Sequence, residues 1–306
     1  MRVLISGAGG LIGTALARAL EARGDTVARL VRARPRDAHE FRWDPVAGTV
    51  DPTALVGCDA VVHLAGSSIA AGRWSAGRKA EILESRRLGT RLIARSIARA
   101  AGAPPGAPAV LVSASGIGIY GDRGDEVLDE GSSTGDGFLA EVARVWEGEA
   151  RPAAEAGVRL VHPRFGLVLA SAGGALPRLA LPFRFGLGGP IGSGRQWVSW
   201  VTLQDAVRAV LWALSHNSLI GPLNVVAPYP ITQMQFSRAL GMILHRPAIL
   251  RMPAGAVRAV LREMGRELVL ASQRALPGRL AAAGFAFDHP DIESALRHVL
   301  GLARRD

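Results

Sequence analysis

A glycine-rich turn near the start of this chain, Gly7-Ala8-Gly9-Gly10-Leu11-Ile12-Gly13, constrains the fold more than any other stretch. It follows the apolar run Val3-Leu4-Ile5 and opens a helical pattern through Leu11, Ala15, Leu16, Ala19 and Leu20. Strand, glycine turn and helix together form the context in which spaced glycines bind a dinucleotide. The glycines recur as G-x-x-G-x-x-G at Gly7, Gly10 and Gly13. One allows the tight turn, the next lets the backbone approach a pyrophosphate, and the last lets helix and strand pack. The first helical residues, Leu11 and Ile12, then offer free N–H groups to the phosphates.

The rhythm of the first half supports the same fold. Apolar runs at Val3–Ile5, Val27–Val31, Ala60–Leu64, Ala109–Val112 and Val158–Val161 read as strands. Helical patterns near Leu11–Ala22, Lys79–Ala101 and Phe138–Ala156 lie between them. Such alternation implies right-handed crossovers and a parallel sheet. Ala103–Pro108 reads as a loop. Residues 172–195, rich in Gly and Pro, read as loops over a cleft. Val201–Leu214 reads as a helix, Leu223–Val226 as a strand, and Thr232–Leu302 as mostly helical with breaks at Pro247, Pro253, Pro277 and Pro290. The expected architecture is α/β, a Rossmann-type doubly wound parallel sheet with a smaller, mainly helical C-terminal substrate domain. Residues 1–165 form the dinucleotide-binding domain, to which 201–228 return. Residues 166–200 and 229–306 form the substrate domain.

Composition narrows the classes. The 306 residues are 49% hydrophobic and 20% charged, enough for a substantial core. A single cysteine, Cys58, excludes an internal disulfide framework and points to a reducing cytoplasm. No apolar run reaches the roughly 18 residues of a spanning helix, and neither a secretory leader nor a membrane partner is expected. The net charge is +10. Its basic residues run along the whole chain, with Lys79 the only lysine, so no nucleic-acid partner is expected. The charge favours an anionic cofactor or substrate. The seven histidines show no H-x-x-x-H spacing, and no metal is expected.

An acidic residue at the end of the second strand would bind the ribose 2′-hydroxyl of NAD. Val31-Arg32-Ala33-Arg34-Pro35-Arg36 stands there instead. A guanidinium suits a 2′-phosphate, so Arg32 and Arg34 favour NADP over NAD.

Further motifs carry a family resemblance. Gly7-x-x-Gly10-x-x-Gly13, Asp59-Ala60-Val61-Val62-His63-Leu64-Ala65-Gly66 and Ser113-Ala114-Ser115 leading to Tyr120-Gly121 resemble the extended short-chain dehydrogenase/reductase superfamily. Gly72-Arg73-Trp74, Glu84-Ser85-Arg86, the stretch Tyr120–Glu126, Gly135–Val142 and Gly192–Trp200 are similar to one branch of it, labelled NAD(P)-dependent epimerase-like or oxidoreductase-like. Ser272–Pro277 with Ala283-Gly284-Phe285 resembles that branch's C-terminal domain of unknown function. The resemblance implies cofactor contacts from Leu64, Ala65, Gly66 and Arg164. It also implies a Tyr-x-x-x-Lys pair with a serine and an asparagine.

That pair is missing. The tyrosines are Tyr120 and Tyr229, followed four residues on by Gly124 and Gln233. The corresponding helix, Phe138 to Glu147, supplies neither a tyrosine nor a lysine. Ser115 matches the serine, and Arg86 stands where the asparagine would, three residues before Gly89-Thr90. Three readings stay open: an enzyme with displaced acid–base groups, a non-catalytic NADP-binding sensor or partner protein, and a protein in which the dinucleotide is only structural. For the enzyme, an NADP-dependent oxidoreductase or epimerase-like catalyst of an unidentified small substrate, the candidates are Tyr120, Asp122, Arg86, Glu84 and Ser115. Tyr120 is the expected acid or base, Ser115 its hydrogen-bonding partner and Arg86 the nearby charge. Arg73, Trp74, Asp122, Arg195 and Trp197 are the expected substrate contacts.

Overall fold

The computed structural model describes residues 1–102 and 106–302. β1 (Arg2–Ser6) leads through the glycine turn into α1 (Leu11–Ala22), and β2 (Thr26–Val31) returns beside β1. β3 (Glu40–Asp44) and the short β4 (Thr49–Val50) extend that side. β5 (Ala60–His63) crosses to the other side of β1, and α2 (Ala76–Ala101) leads to β6 (Val110–Ser113). β7 (Ser115–Gly116) follows, then a 3-10 turn at Ile117–Tyr120 and β8 (Val127–Leu128). α3 (Phe138–Gly148) and α4 (Arg151–Glu155) return the chain to β9 (Arg159–Phe165), which continues into β10 (Leu167–Leu169). Beyond lie α5 (Leu176–Arg184), β11 (Trp197–Val198), β12 (Trp200–Thr202), α6 (Leu203–Ser215) and β13 (Gly221–Val225). The tail holds β14 (Ile231–Thr232), α7 (Gln233–Ile243), α8 (Ala254–Gly265), a π-helical turn at Arg266–Leu270, β15 (Arg274–Ala275), α9 (Gly278–Ala282) and α10 (Ile292–Val299).

The main sheet runs β4-β3-β2-β1-β5-β6-β9-β13, with β7 also beside β9. All its pairings are parallel except β3 with β4. This is the expected Rossmann-type sheet, and strand order reverses at β1 and β5. Side chains alternate across it. Val3, Ile5, Val62 and Val112 face Leu16, Leu20, Val210 and Leu214 of α1 and α6. Leu4, Val61 and Leu111 face Ile93 and Ile97 of α2. A third cluster joins Phe183 of α5, Trp200, Phe236 and Leu240 of α7 and Leu296 of α10. Leu280 and Phe285 of the tail pack instead on the α1 and α6 face of the sheet.

Two local expectations change. Residues 172–195 contain a helix, α5, despite Pro177 and Pro182. Pro177 sits in its first turn, where the missing N–H costs nothing. Buried Leu176, Ala180 and Phe183 recur at helical spacing. The pattern expected over Phe138–Ala156 divides into α3 and α4. Of the loop expected over Ala103–Pro108, Ala103–Pro105 lie outside the described residues, and Gly106–Pro108 have no regular structure.

Candidate active site

The glycine turn stands where strand order reverses, the position at which open α/β sheets receive ligands. Gly7 has φ 75°, and a Cβ there would lie 2.8 Å from the backbone of Leu64 and Ala65. The turn and the loop after β5 therefore abut through bare backbone. A Cβ on Gly13 would meet the Gly7 carbonyl at 2.2 Å, so helix and strand close only over glycine. Gly10 is exposed and has only the Gly7 carbonyl near its Cβ position, at 3.2 Å. It is the N-cap of α1 and supplies no side-chain cap. Leu11 and Ile12 follow, half-buried, and Leu11 packs under Gly173 and Gly174.

Under this turn lies His63, fully buried at the end of β5. Its Nδ1 is 2.6 Å from Ser6 Oγ and its Nε2 3.0 Å from Thr90 Oγ1. Burial, with help from the Arg86 charge, pushes its pKa down to about 3. It is a neutral strut between β1, β5 and α2. At the end of β2, Arg32, Arg34 and Arg36 are exposed, and among the described residues none forms an ion pair. The charge of Arg32 reaches Glu81 on α2, whose carboxyl is held below its ordinary value by hydrogen bonds from Ser67 and Arg78.

Arg86 is the most unusual group beside the loop after β5. It projects from α2 with 8% of its surface exposed. Its Nη1 donates to the carbonyls of Ser67 at 2.9 Å and Ile82 at 3.0 Å. The guanidinium lies 4.6 Å from the Trp146 ring centroid, and a Cβ on Gly66 would approach its Cζ to 3.1 Å. Among the described residues no carboxylate pairs with it. Burial, then the charge of Arg78, pushes its pKa down to about 10, so it stays cationic at neutral pH. Leu64, Ala65 and Gly66 form the loop between Arg86 and the glycine turn, with Gly66 exposed.

α3 presents an apolar face here. Phe138 and Val142, one turn apart, pack with Ile82. Trp74 meets Phe138 edge-on at 4.9 Å and donates its Nε1–H to the Ile69 carbonyl. The polar groups lie farther along α3. Ser115 Oγ donates to Glu147 Oε1 at 2.7 Å, and Arg164 clasps Glu147 through Nε at 2.8 Å and Nη2 at 2.9 Å. Burial raises the Glu147 pKa, but the hydrogen bonds and charge of Arg164 outweigh it, and the carboxyl stays below its ordinary value. Glu147 is absent from the sequence-based candidates because only a tyrosine or lysine is sought in Phe138–Glu147. The signal for it is a carboxylate on that helix facing an arginine in the next strand.

Several expected roles are corrected. Tyr120 is fully buried, packed with Ile119, Leu128 and Ala275. Its hydroxyl lies 2.8 Å from Asn224 Oδ1 and 2.9 Å from the Asp129 carbonyl, and it accepts from Arg164 Nη1 at 3.0 Å. Burial raises its pKa against the pull of Arg164. The hydroxyl is held inside the core by these contacts, and Ser115 partners Glu147 rather than Tyr120. Arg164 uses Nε and Nη2 on Glu147 and Nη1 on the Tyr120 hydroxyl. Asp122 accepts from the Ser272 N–H at 3.0 Å, and Trp197 donates to Asp125 at 2.8 Å while Arg274 stacks over its ring at 4.2 Å. These two residues fasten the 121–126 turn to the tail rather than lining a cleft. Arg73 and Arg195 are exposed, and Trp74 covers Phe138.

The tail also closes over α3. Glu267, in the π-helical turn, accepts from the backbone N–H groups of Phe138 at 2.9 Å and Leu139 at 2.8 Å. Glu263 of α8 pairs with Lys79 at 2.8 Å.

Comparison with known proteins agrees with this fold. Residues 3–141 match the NAD dependent epimerase/dehydratase family, and residues 252–299 match a domain of unknown function, DUF1731. An epimerase family protein of Mycobacterium leprae is 43% identical over 296 residues, 97% of this chain and 94% of that protein. The human epimerase family protein SDR39U1, crystallised with NADPH, matches with a TM-score of 0.88 at 35% identity, over 98% of this chain and 99% of that one. A Thermus thermophilus UDP-glucose 4-epimerase in complex with NAD shares the fold, with a TM-score of 0.77 at 20% identity over 99% and 98% of the two chains. Among the described residues no helix is long and apolar enough to cross a membrane.

Proposed function

Because the chain belongs to the NAD dependent epimerase/dehydratase family, we propose that it is an NADPH-dependent oxidoreductase or epimerase-like enzyme whose proton chemistry runs through Ser115 and Glu147 instead of a tyrosine–lysine pair. The observation that carries this reading is the buried, carboxylate-free guanidinium of Arg86 beside Gly66. A buried cation with no carboxylate to neutralise it is costly to hold, and an electrostatic role toward an anionic group offsets that cost.

The cradle fits a dinucleotide phosphate. Cβ-free backbone at Gly7 and Gly13 and the uncapped N-terminus of α1 leave donors facing the strand ends. Arg32 and Arg34 stand ready for a 2′-phosphate, which accords with the NADPH in the human relative. When bound, the dinucleotide supplies the hydride. Arg86 stabilises negative charge developing on a substrate oxygen. In the oxidative direction Ser115 Oγ takes the proton of the substrate hydroxyl as it passes its own along its 2.7 Å hydrogen bond to ionised Glu147 Oε1. In the reductive direction the same path runs backwards, Glu147 first taking a proton from water and handing it through Ser115 to the substrate oxygen. Arg164 keeps Glu147 ionised and aimed at Ser115. Phe138, Val142 and Trp74 exclude water from one wall.

The test uses the full-length protein loaded with NADPH and a panel of small carbonyl compounds and nucleotide sugars. It reads cofactor oxidation by absorbance and redox-neutral products by chromatography. Ser115→Ala and Glu147→Gln are each expected to cut turnover by about a hundredfold with NADPH affinity unchanged. Wild-type turnover in both variants, or NADPH binding with no product from any substrate, refutes the proposal.

A further inference from the structure

The net positive charge has a specific address. Between Gly157 and Arg262 the chain carries eleven arginines and a single acidic residue, Asp205. Asp205 is fully buried and paired with Arg208. This stretch therefore shows solvent no carboxylate of its own. On its surface two loops run side by side. The segment after α5 meets the segment before α8 through Leu250 N–H to the Gly188 carbonyl at 3.1 Å and Met252 N–H to the Pro190 carbonyl at 2.9 Å.

The side chains that stand on these loops are large and apolar. Phe185 is 73% exposed and Ile249 77%. Leu181, Leu187, Leu250 and Met252 flank them, each about half exposed or more. Arg184, Arg246 and Arg251 are interleaved with them, exposed, and without an ion pair among the described residues. Scattered exposed leucines need no explanation, but protruding apolar tips set among unpaired arginines do.

We propose that this face docks the protein onto an anionic lipid bilayer, the apolar tips entering the headgroup–acyl boundary and the arginines meeting lipid phosphates. Side chains exposed to this degree project outward rather than line a groove, and a fluid lipid surface accepts projections where a folded partner would need matching pockets. A second copy of the chain is disfavoured because a two-fold contact would set Arg184, Arg246 and Arg251 against their own counterparts with no acid to compensate. Nucleic acid satisfies the arginines but leaves the aliphatic tips in water, since binding there uses phosphate contacts and aromatic stacking. No spanning helix is needed for such peripheral attachment.

Flotation of the full-length protein with vesicles tests this. Phosphatidylcholine vesicles containing phosphatidylglycerol are expected to carry the protein, and pure phosphatidylcholine vesicles are not. Arg184→Gln with Arg251→Gln is expected to lower partitioning by roughly thirtyfold. Phe185→Ser with Ile249→Ser is expected to lower it by about a hundredfold or more. Both double variants should keep wild-type NADPH affinity, which controls for folding. Failure to float with anionic vesicles overturns the proposal. So does equal binding to both vesicle types, unchanged binding by the Phe185/Ile249 variant, or a dimer in light scattering that this variant dissolves.

Discussion

Acid should weaken this protein through His63, and the size of the effect follows from its surroundings. The imidazole is fully buried between Ser6 and Thr90. Its pKa falls from 6.5 to about 3 in the folded chain. An unfolded chain takes up the proton near 6.5, so between the two values it binds more protons than the native state. The native state therefore keeps its full stability above 6.5 and loses it progressively as the pH falls toward 3. At about pH 5 the loss from this one group is about 2 kcal/mol, against a typical total of roughly 5–15 kcal/mol for a folded protein. His162, also buried, has its pKa lowered chiefly by burial and adds to the slope in the same direction. His63→Gln separates the two. Urea unfolding of wild type and variant at about pH 7.5 and about pH 5 should show a drop smaller by about 2 kcal/mol in the variant. Equal drops in both proteins, or an NMR titration of His63 with a midpoint near its ordinary value, would refute the reasoning.

Two further outcomes concern the cofactor. Arg32→Ala should weaken NADP binding by about tenfold or more while leaving NAD binding nearly unchanged, because only the 2′-phosphate loses a charge-assisted contact; calorimetry with both dinucleotides checks it. Gly10→Val should fold normally, since its Cβ meets only one carbonyl, yet lose NADPH binding, whereas Gly13→Val should lose stability outright from the 2.2 Å clash with Gly7; circular dichroism melts beside a binding titration distinguish them.

The central strands β1, β2, β5 and β6 were legible as mainly apolar runs, whereas β3, Glu40-Phe41-Arg42-Trp43-Asp44, alternates charged and aromatic residues and gave no such signal. The sequence pattern at Gly7, Gly10 and Gly13 matches the close approaches that the backbone makes there. α5 was hidden because Pro177 and Pro182 weigh against a helix locally, and only packing of Leu176, Ala180 and Phe183 decides otherwise. The site was less legible for a different reason. A motif reports that a tyrosine or an arginine is present near a strand end, but not which way it points. Tyr120 follows such an end and turns inward to Asn224, 104 residues away in sequence. Trp197 and Asp122 find partners at Asp125 and Ser272, and no spacing rule connects those positions. Basic residues look evenly spread, and the polarity of the surface lay instead in where the acids stop.

The contact from Glu267 to the first N–H groups of α3 bears on how this architecture can be divided. The helix has no capping side chain of its own, because Gly137 precedes it with φ 106° and supplies none. Its capping carboxylate is borrowed from a segment more than a hundred residues downstream. An excised N-terminal half would keep every glycine of its phosphate turn and still begin α3 with unpaired donors. The two halves are thus poor candidates for exchange between relatives as independent cassettes. A graft of a foreign tail would have to bring its own acid to this one position, or the helix carrying Glu147 would fray from its start.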